Sequence, residues 1–288
     1  MSKNVCQNCD REERKRRGYL CDKMDAEDGL PVRCIHSQSE LKLKLLKYYL
    51  DIVSEAMKIR FKEKRYFLDL FSGPGLCWNR DDGLFVKGSS LLALDLKTRF
   101  TDYIFVDSNE QTCVALRTRI AKLYTNLESK IEFLNLNTNK DVLNIMTHIQ
   151  KDKALIVAFL DPNAFDIQFN VIKALSNFKS IDLIINFAIH DLLRNAQIYK
   201  DGTSGKANLV FGCEDWPNKK LEWLSFYKNK LVKLGFRAVE EDFEQKAKVK
   251  TLSNRDIYYL IYASKHPRGL EFWREAKKKY LQGDIFGL

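Results

Sequence analysis

Three short segments carry residue types that do chemistry together. Asp69-Leu70-Phe71-Ser72-Gly73-Pro74-Gly75 closes one apolar run, Asp107 closes a second, and Asp161-Pro162-Asn163-Ala164-Phe165 follows a third. Glycines let a backbone pass close to a ligand. A carboxylate at the end of the next strand suits hydrogen bonding to a ribose diol, or it caps the helix that follows. Asn135 and Asn137 come after a further apolar run, and amides there suit an adenine edge or Asx-turns equally. Pro162 fixes a turn and keeps Asp161 out of the helical region. That places the Asp161 carboxylate to accept a hydrogen bond from a substrate amine or hydroxyl, or to act as general base. Phe165 either stacks on a base or belongs to the core. His190, Asp191 and Arg194 begin a possible helix; His190 and Arg194 share a face and would meet a phosphate or an acidic partner, or simply face solvent.

The N-terminal segment holds different chemistry. Cys6-x-x-Cys9 is a chelating pair, and Cys21, Cys34 and His36 are within reach to complete a tetrahedral zinc site. Cys6, Cys9, Cys21 and Cys34 form the preferred set, with His36 able to replace one. The basic run Arg14–Arg17 lies inside the proposed finger and suits phosphate. Cys77, Cys113 and Cys213 read as ordinary thiols.

These residues need elements to position them. Residues 1–36 lack apolar periodicity and form a Cys-rich arm. A helix follows over 37–60, capped by Ser37 or Ser39, with Leu41, Leu45, Tyr48, Ile52, Ala56 and Ile59 at helical spacing. From Arg65 the pattern alternates. Strands are expected at 66–70, 103–107, 131–134, 154–160 and 181–187, with helices near 89–98, 110–124, 139–150 and 168–178. The stretch 76–87 reads as a loop. Strands that are continuously apolar and alternate with helices imply parallel βαβ units. A helix near 219–234 precedes strands at 236–243 and 256–264. The polar link between those two is too short for a parallel crossover, so they form an antiparallel hairpin at the sheet edge. The fold expected is α/β: a doubly wound, mostly parallel seven-stranded sheet over 37–288, with the Cys-rich metal-binding arm at 1–36.

Composition bounds the partners. The chain has 288 residues, 45% of them hydrophobic, which supports a sizeable core. Lys plus Arg is 48 against 38 Asp plus Glu, a net charge of +10, so a polyanion such as DNA or RNA is the expected partner. No apolar run approaches the roughly 18 residues that span a bilayer. With no signal-peptide core at the N-terminus, a cytoplasmic protein is expected. A dinucleotide fingerprint would need a third glycine where Trp78 stands.

The series Phe67 to Gly75 resembles the first motif of class I S-adenosylmethionine-dependent methyltransferases. Asp107 matches their ribose-binding acid, and Asp161-Pro162 their fourth motif, which reads Asp-Pro-Pro-Tyr or similar in the amino-methyltransferases. Adding Gly88-Ser89, Phe159-Leu160-Asp161-Pro162 and Lys265-His266-Pro267-Arg268-Gly269 leading to Trp273, residues 37–280 resemble the three-Cys-motif partner protein family. The resemblance implies S-adenosylmethionine held by Asp69, Phe71, Ser72, Gly73, Gly75, Asp107 and Asn137. It implies Asp161, Pro162 and Phe165 at the acceptor, a nucleic-acid substrate and a partner bearing a three-cysteine motif. Asn163-Ala164 departs from the fourth motif. A catalytically inactive nucleic-acid-binding or assembly subunit is therefore the alternative. A nuclease with Asp69, Asp107 and Asp161 around a metal is a further one.

Overall fold

A computed structural model describes residues 13, 20–21, 26–150, 152–200, 205–240 and 259–285. The chain divides into two compact units, Met1–Asn137 with Arg274–Leu288, and Thr138–Trp273.

In the first unit β1 (Leu20–Cys21) pairs antiparallel with β2 (Val32–Ile35). Helix α1 (Ser37–Met57) follows. Its buried stripe is Leu43, Leu46, Leu50, Val53 and Met57, flanked by Leu45 and Tyr49. The expected stripe was a turn-face away: Tyr48 and Ile52 are half-buried, Ala56 is exposed, and Ile59 lies beyond the helix at 85% exposure. Two leucine registers overlap on this helix, and packing chose the other one. No serine side chain caps it. His36 occupies the cap position, and the Ser37 N–H is taken by Asp81 Oδ2 at 2.8 Å.

Strand β3 (Arg65–Asp69) is buried along its whole length. The expected loop at 76–87 is a hairpin of β4 (Leu76–Asn79) and β5 (Leu84–Lys87). Its turn is closed by side chains: Asn79 Oδ1 accepts from the Asp81 N–H at 3.1 Å, and Asp82 Oδ1 accepts from the Leu84 N–H at 3.0 Å. Such Asx bonds mimic a backbone turn. Strand β4 also pairs parallel with β2, so the described part of the arm belongs to a four-stranded sheet, β1-β2-β4-β5. Helix α2 (Ser89–Leu94), β6 (Asp102–Val106), α3 (Glu110–Leu123) and β7 (Ile131–Leu134) complete the unit. β3, β6 and β7 are parallel neighbours. Phe67 packs on Phe100 and Phe105, with ring centroids 5.9 and 6.5 Å apart.

The second unit opens with α4 (Thr138–Thr147), β8 (Leu155–Leu160), α5 (Phe169–Leu175) and β9 (Ile181–Phe187), β8 and β9 being parallel. Helices α6 (Ile189–Lys200), α7 (Lys206–Phe211) and α8 (Trp223–Lys233) lead to β10 (Ala238–Glu240) and β11 (Tyr259–Ser264). β11 runs antiparallel to both β10 and β9, as the short polar link required. Helix α9 (Pro267–Ile285) stacks Trp273 on Tyr262 at 5.0 Å. The strand order is β3-β6-β7 within the first unit, all parallel, and β10-β11-β9-β8 within the second, where β8 and β9 are parallel. No described helix is long and apolar enough to cross a membrane.

Candidate functional site

The glycine loop leaves the carboxyl end of β3. Asp69 is fully buried, and its carboxylate is used inside the loop: it accepts from Ser90 Oγ at 3.2 Å and from the Phe71 N–H at 3.4 Å. Ser90 Oγ also reaches the Ser72 carbonyl at 3.0 Å, and the Ser72 N–H donates to the Val106 carbonyl at 2.9 Å. Asp69 therefore shapes the loop from below. Gly75 has φ +85°, and a Cβ there would lie 2.8 Å from Leu116 and 3.2 Å from Leu91. Its N-terminal partner in the turn, Gly73, has φ +63°. The Gly88 N–H closes the excursion on the Gly75 carbonyl at 2.7 Å. The Gly-Ser-Ser start of α2 thus supports the loop.

Asp107 follows β6, the parallel neighbour of β3. Its Oδ2 accepts from the Gly73 N–H at 3.2 Å and its Oδ1 from the Asn109 N–H at 2.9 Å. Asp107 is not the cap of α3; Asn109 is, accepting from the Thr112 N–H at 3.3 Å. The half-exposed Asp107 carboxylate is thereby aimed at the glycine loop. Asn135 donates its amide to the Asp107 carbonyl at 3.0 Å, which fixes the strand end from the β7 side. Asn137 is exposed just before α4. Burial, then the nearby Asp107 charge, pushes the Cys113 thiol up, so Cys113 stays a neutral neighbour.

Two arginines that the sequence reading did not single out border this loop. Arg119 is 3% exposed and makes a bidentate contact with Asp28, Nε to Oδ2 at 2.7 Å and Nη2 to Oδ1 at 3.0 Å. It also donates to the carbonyls of Leu30, Pro31 and Pro74. The signal was available: Arg119 sits on the Thr112, Leu116, Ile120 stripe of α3, where a cation needs partners. The second, Arg33, lies against Gly73.

In the second unit Asp161 stands at the carboxyl end of β8. Asn186, near the end of β9, donates Nδ2 to Asp161 Oδ1 at 2.7 Å. The carboxylate fixes the amide orientation, because the flipped amide would set two acceptors against each other. Asn186 Oδ1 is then a buried acceptor with no donor among the described residues. Phe165 is 2% exposed and packs on Phe187, Tyr199 and Phe211 at 5.2–6.4 Å. The expected stacking face is consequently filled by the core. Asp191 locks that turn, with Oδ2 accepting from the Phe165 N–H at 3.1 Å and Tyr199 Oη at 3.0 Å. Asp191 thereby serves the fold.

Cys6 and Cys9 lie outside the described residues, as does the Arg14–Arg17 run. Cys21, opposite Val32, and Cys34, two residues further on, share one face of the β1–β2 pair with Trp78. His36 Nδ1 is 2.9 Å from Asp81 Oδ1 instead. Among the described residues no cluster of three or more His, Cys, Asp or Glu side chains is arranged to hold a metal ion. The three-carboxylate metal centre does not form among them.

No protein-family model matches the chain, and no curated relative does. Similar solved structures exist. One is a Methanococcus maripaludis protein provisionally described as an S-adenosyl-L-methionine-dependent methyltransferase: 18% identity, 80% of this chain and 90% of that chain covered, TM-score 0.39. Another is a Legionella pneumophila protein, with 10% identity, 83% and 92% covered, TM-score 0.48. A third is the magnesium protoporphyrin IX methyltransferase of Synechocystis with bound S-adenosylmethionine, with 12% identity, 76% and 79% covered, TM-score 0.38. The likeness in each case is distant.

Proposed function

We propose that this chain is an S-adenosylmethionine-dependent methyltransferase acting on an amino group of a nucleic acid. One observation carries the reading. The carboxylate that ends β6 is bonded to the glycine loop that ends β3, through the Gly73 N–H and Asp107 Oδ2. A half-exposed acid held against a glycine loop is what an adenosyl ligand needs: a close backbone and a diol acceptor. The residues present fit such a cofactor. Gly73 presents backbone without a side chain beside the Asp107 carboxylate, and Asp107 keeps an exposed edge.

Asp107 would hold the ribose hydroxyls. The backbone of Phe71, Ser72 and Gly73 would line the amino-acid side, with Asn137 toward the base. The cofactor supplies an already activated methyl group, so the protein's share of the chemistry is positioning. Asp161 and Asn186 Oδ1 offer two acceptors at neighbouring strand ends, which suits an –NH2 group. They would orient its N–H bonds and steer the nitrogen lone pair. Pro162 disfavours a helical backbone at Asp161. The charge of +10 supports a nucleic acid as the bearer of that amine. In a duplex the base would have to be flipped out.

Two accessory roles belong to the same reading. A structural zinc would be held by Cys6, Cys9, Cys21 and Cys34; the shared face of Cys21 and Cys34 supports it. A partner with a three-cysteine motif follows from the family resemblance alone. Phe165, buried in the core, favours one alternative, a cofactor-binding but catalytically silent nucleic-acid-binding subunit.

Calorimetric titration of S-adenosylmethionine and S-adenosylhomocysteine tests the cofactor step. Micromolar binding that Asp107→Ala removes supports it, and no binding to folded protein with zinc measured overturns it. Labelled-methyl transfer to DNA and RNA oligonucleotides then separates enzyme from silent subunit.

A further inference from the structure

Arg33 lies on β2, outside the strands that carry the proposed cofactor loop. Its Nη1 is 3.3 Å and its Cδ 3.9 Å from the place a Cβ on Gly73 would occupy. The guanidinium therefore covers the same residue whose N–H is bound by Asp107. Three features hold it there. Val32 and Cys34 face the small apolar cluster with Trp78, so strand alternation turns Arg33 to the opposite side. The pairing of Arg33 with Cys77 fixes β2 alongside the chain that leaves the loop. Arg119 anchors the residues just before β2 through the Leu30 and Pro31 carbonyls and anchors the loop through the Pro74 carbonyl.

We infer that Arg33 is a specificity-determining residue of the cofactor site, binding the α-carboxylate of the cofactor's methionine portion. The inference rests on the methyltransferase reading and adds a wall to it. Asp107 marks the ribose side of Gly73, and Arg33 is the cation on the same glycine. A guanidinium presents a planar fork that matches a carboxylate bidentately, and an ammonium does not. The described part of the N-terminal arm is then part of the cofactor site, and the loop accepts a ligand with a free carboxylate in preference to a neutral one.

The test compares S-adenosylhomocysteine with its carboxyl methyl ester, by calorimetry, on wild type, Arg33→Gln and Arg33→Lys. A charged hydrogen bond is worth about 1.5–3 kcal/mol, so the wild type should prefer the free acid by roughly 10- to 100-fold. Arg33→Gln should lose that preference while keeping its affinity for the ester, and Arg33→Lys should recover part of it. A wild type with no preference overturns the inference. So does an Arg33→Gln protein that keeps the preference, or one that weakens both ligands equally, since that would be a packing role. Melting temperatures of the variants confirm the fold, and Arg33→Lys serves should Arg33→Gln fail to fold. A wild type that binds neither ligand overturns the methyltransferase reading itself, and so fails in a distinguishable way.

Discussion

Arg119 and Pro74 are joined by a 2.7 Å hydrogen bond from the arginine Nη1 to the proline carbonyl, although 45 residues separate them. The same nitrogen reaches the Pro31 carbonyl at 2.9 Å, so a single guanidinium group ties the segment before β2 to the glycine loop. The loop's conformation is thus set from beneath by Asp69 and Ser90, from the β6 side by Asp107, and from α3 by Arg119, which ties it to the arm.

Removing that tie should be costly. Arg119→Met would leave Asp28 and three carbonyls without their donor. Losing one member of a largely buried ion pair typically costs about 3–5 kcal/mol. Asp28 keeps some exposure, which favours the lower end. Urea denaturation of the two proteins measures the difference. An Arg119→Met protein as stable as wild type would show that solvent replaces the clamp.

The clamp also gives stability a pH signature. The hydrogen bonds from Arg119 hold the Asp28 carboxyl below its ordinary range, against a smaller effect of burial. A depressed folded-state pKa adds stability above the unfolded value near 4, and that stability is lost as pH falls through the folded value. Thermal melts from pH 7 down to pH 3 should therefore show wild type converging on Asp28→Asn at the acid end. Curves that stay parallel throughout would remove Asp28 from the acid limb.

Gly75→Ala tests whether the loop tolerates a side chain at its last glycine. Its φ of +85° is strained for alanine, and the new Cβ would stand 2.8 Å from Leu116. Overpacking of this kind costs about 1–3 kcal/mol, before the backbone strain is added. We expect a lower melting temperature together with loss of S-adenosylhomocysteine binding. Gly29→Ala is the control: its φ is also positive, but nothing lies within 4 Å of its Cβ position.

How much of this was legible in the sequence depended on how far each signal is local. The strands β3, β6, β8 and β9 were readable because they are buried on both faces and therefore continuously apolar. Asp107 and Asp161 were readable as positions, being the polar residues at which those runs stop. The β4–β5 hairpin was not, because Leu84 and Phe85 stay exposed and its turn depends on Asn79 and Asp82 side chains. Asn186 was invisible as a partner of Asp161. Its role arises from register, one step beyond the Leu160–Ile185 pair of β8 and β9. Phe165 misled for the converse reason, since proximity to a motif in sequence says nothing about which way a ring turns. Its ring turns into the Phe187 and Phe211 cluster.

The Asp161–Asn186 contact makes a last prediction that needs no substrate. Asn186→Asp changes one atom type and leaves the shape. It places a second carboxylate where the Asn186 amide now lies 2.7 Å from Asp161 Oδ1. Two carboxylates that close cannot both ionise, so they share a proton and one folded-state pKa rises above its unfolded value. A raised pKa gives a contribution that is present below the unfolded value and lost as pH climbs through the folded one. The variant should match wild type most closely near pH 4 and fall behind it at pH 8, in paired urea melts at the two pH values. Asn186→Leu, which removes the donor without adding charge, should show no such divergence. If Asn186→Asp tracks wild type at both pH values, the two side chains are not bonded in solution, and the paired acceptor for an amine falls with them.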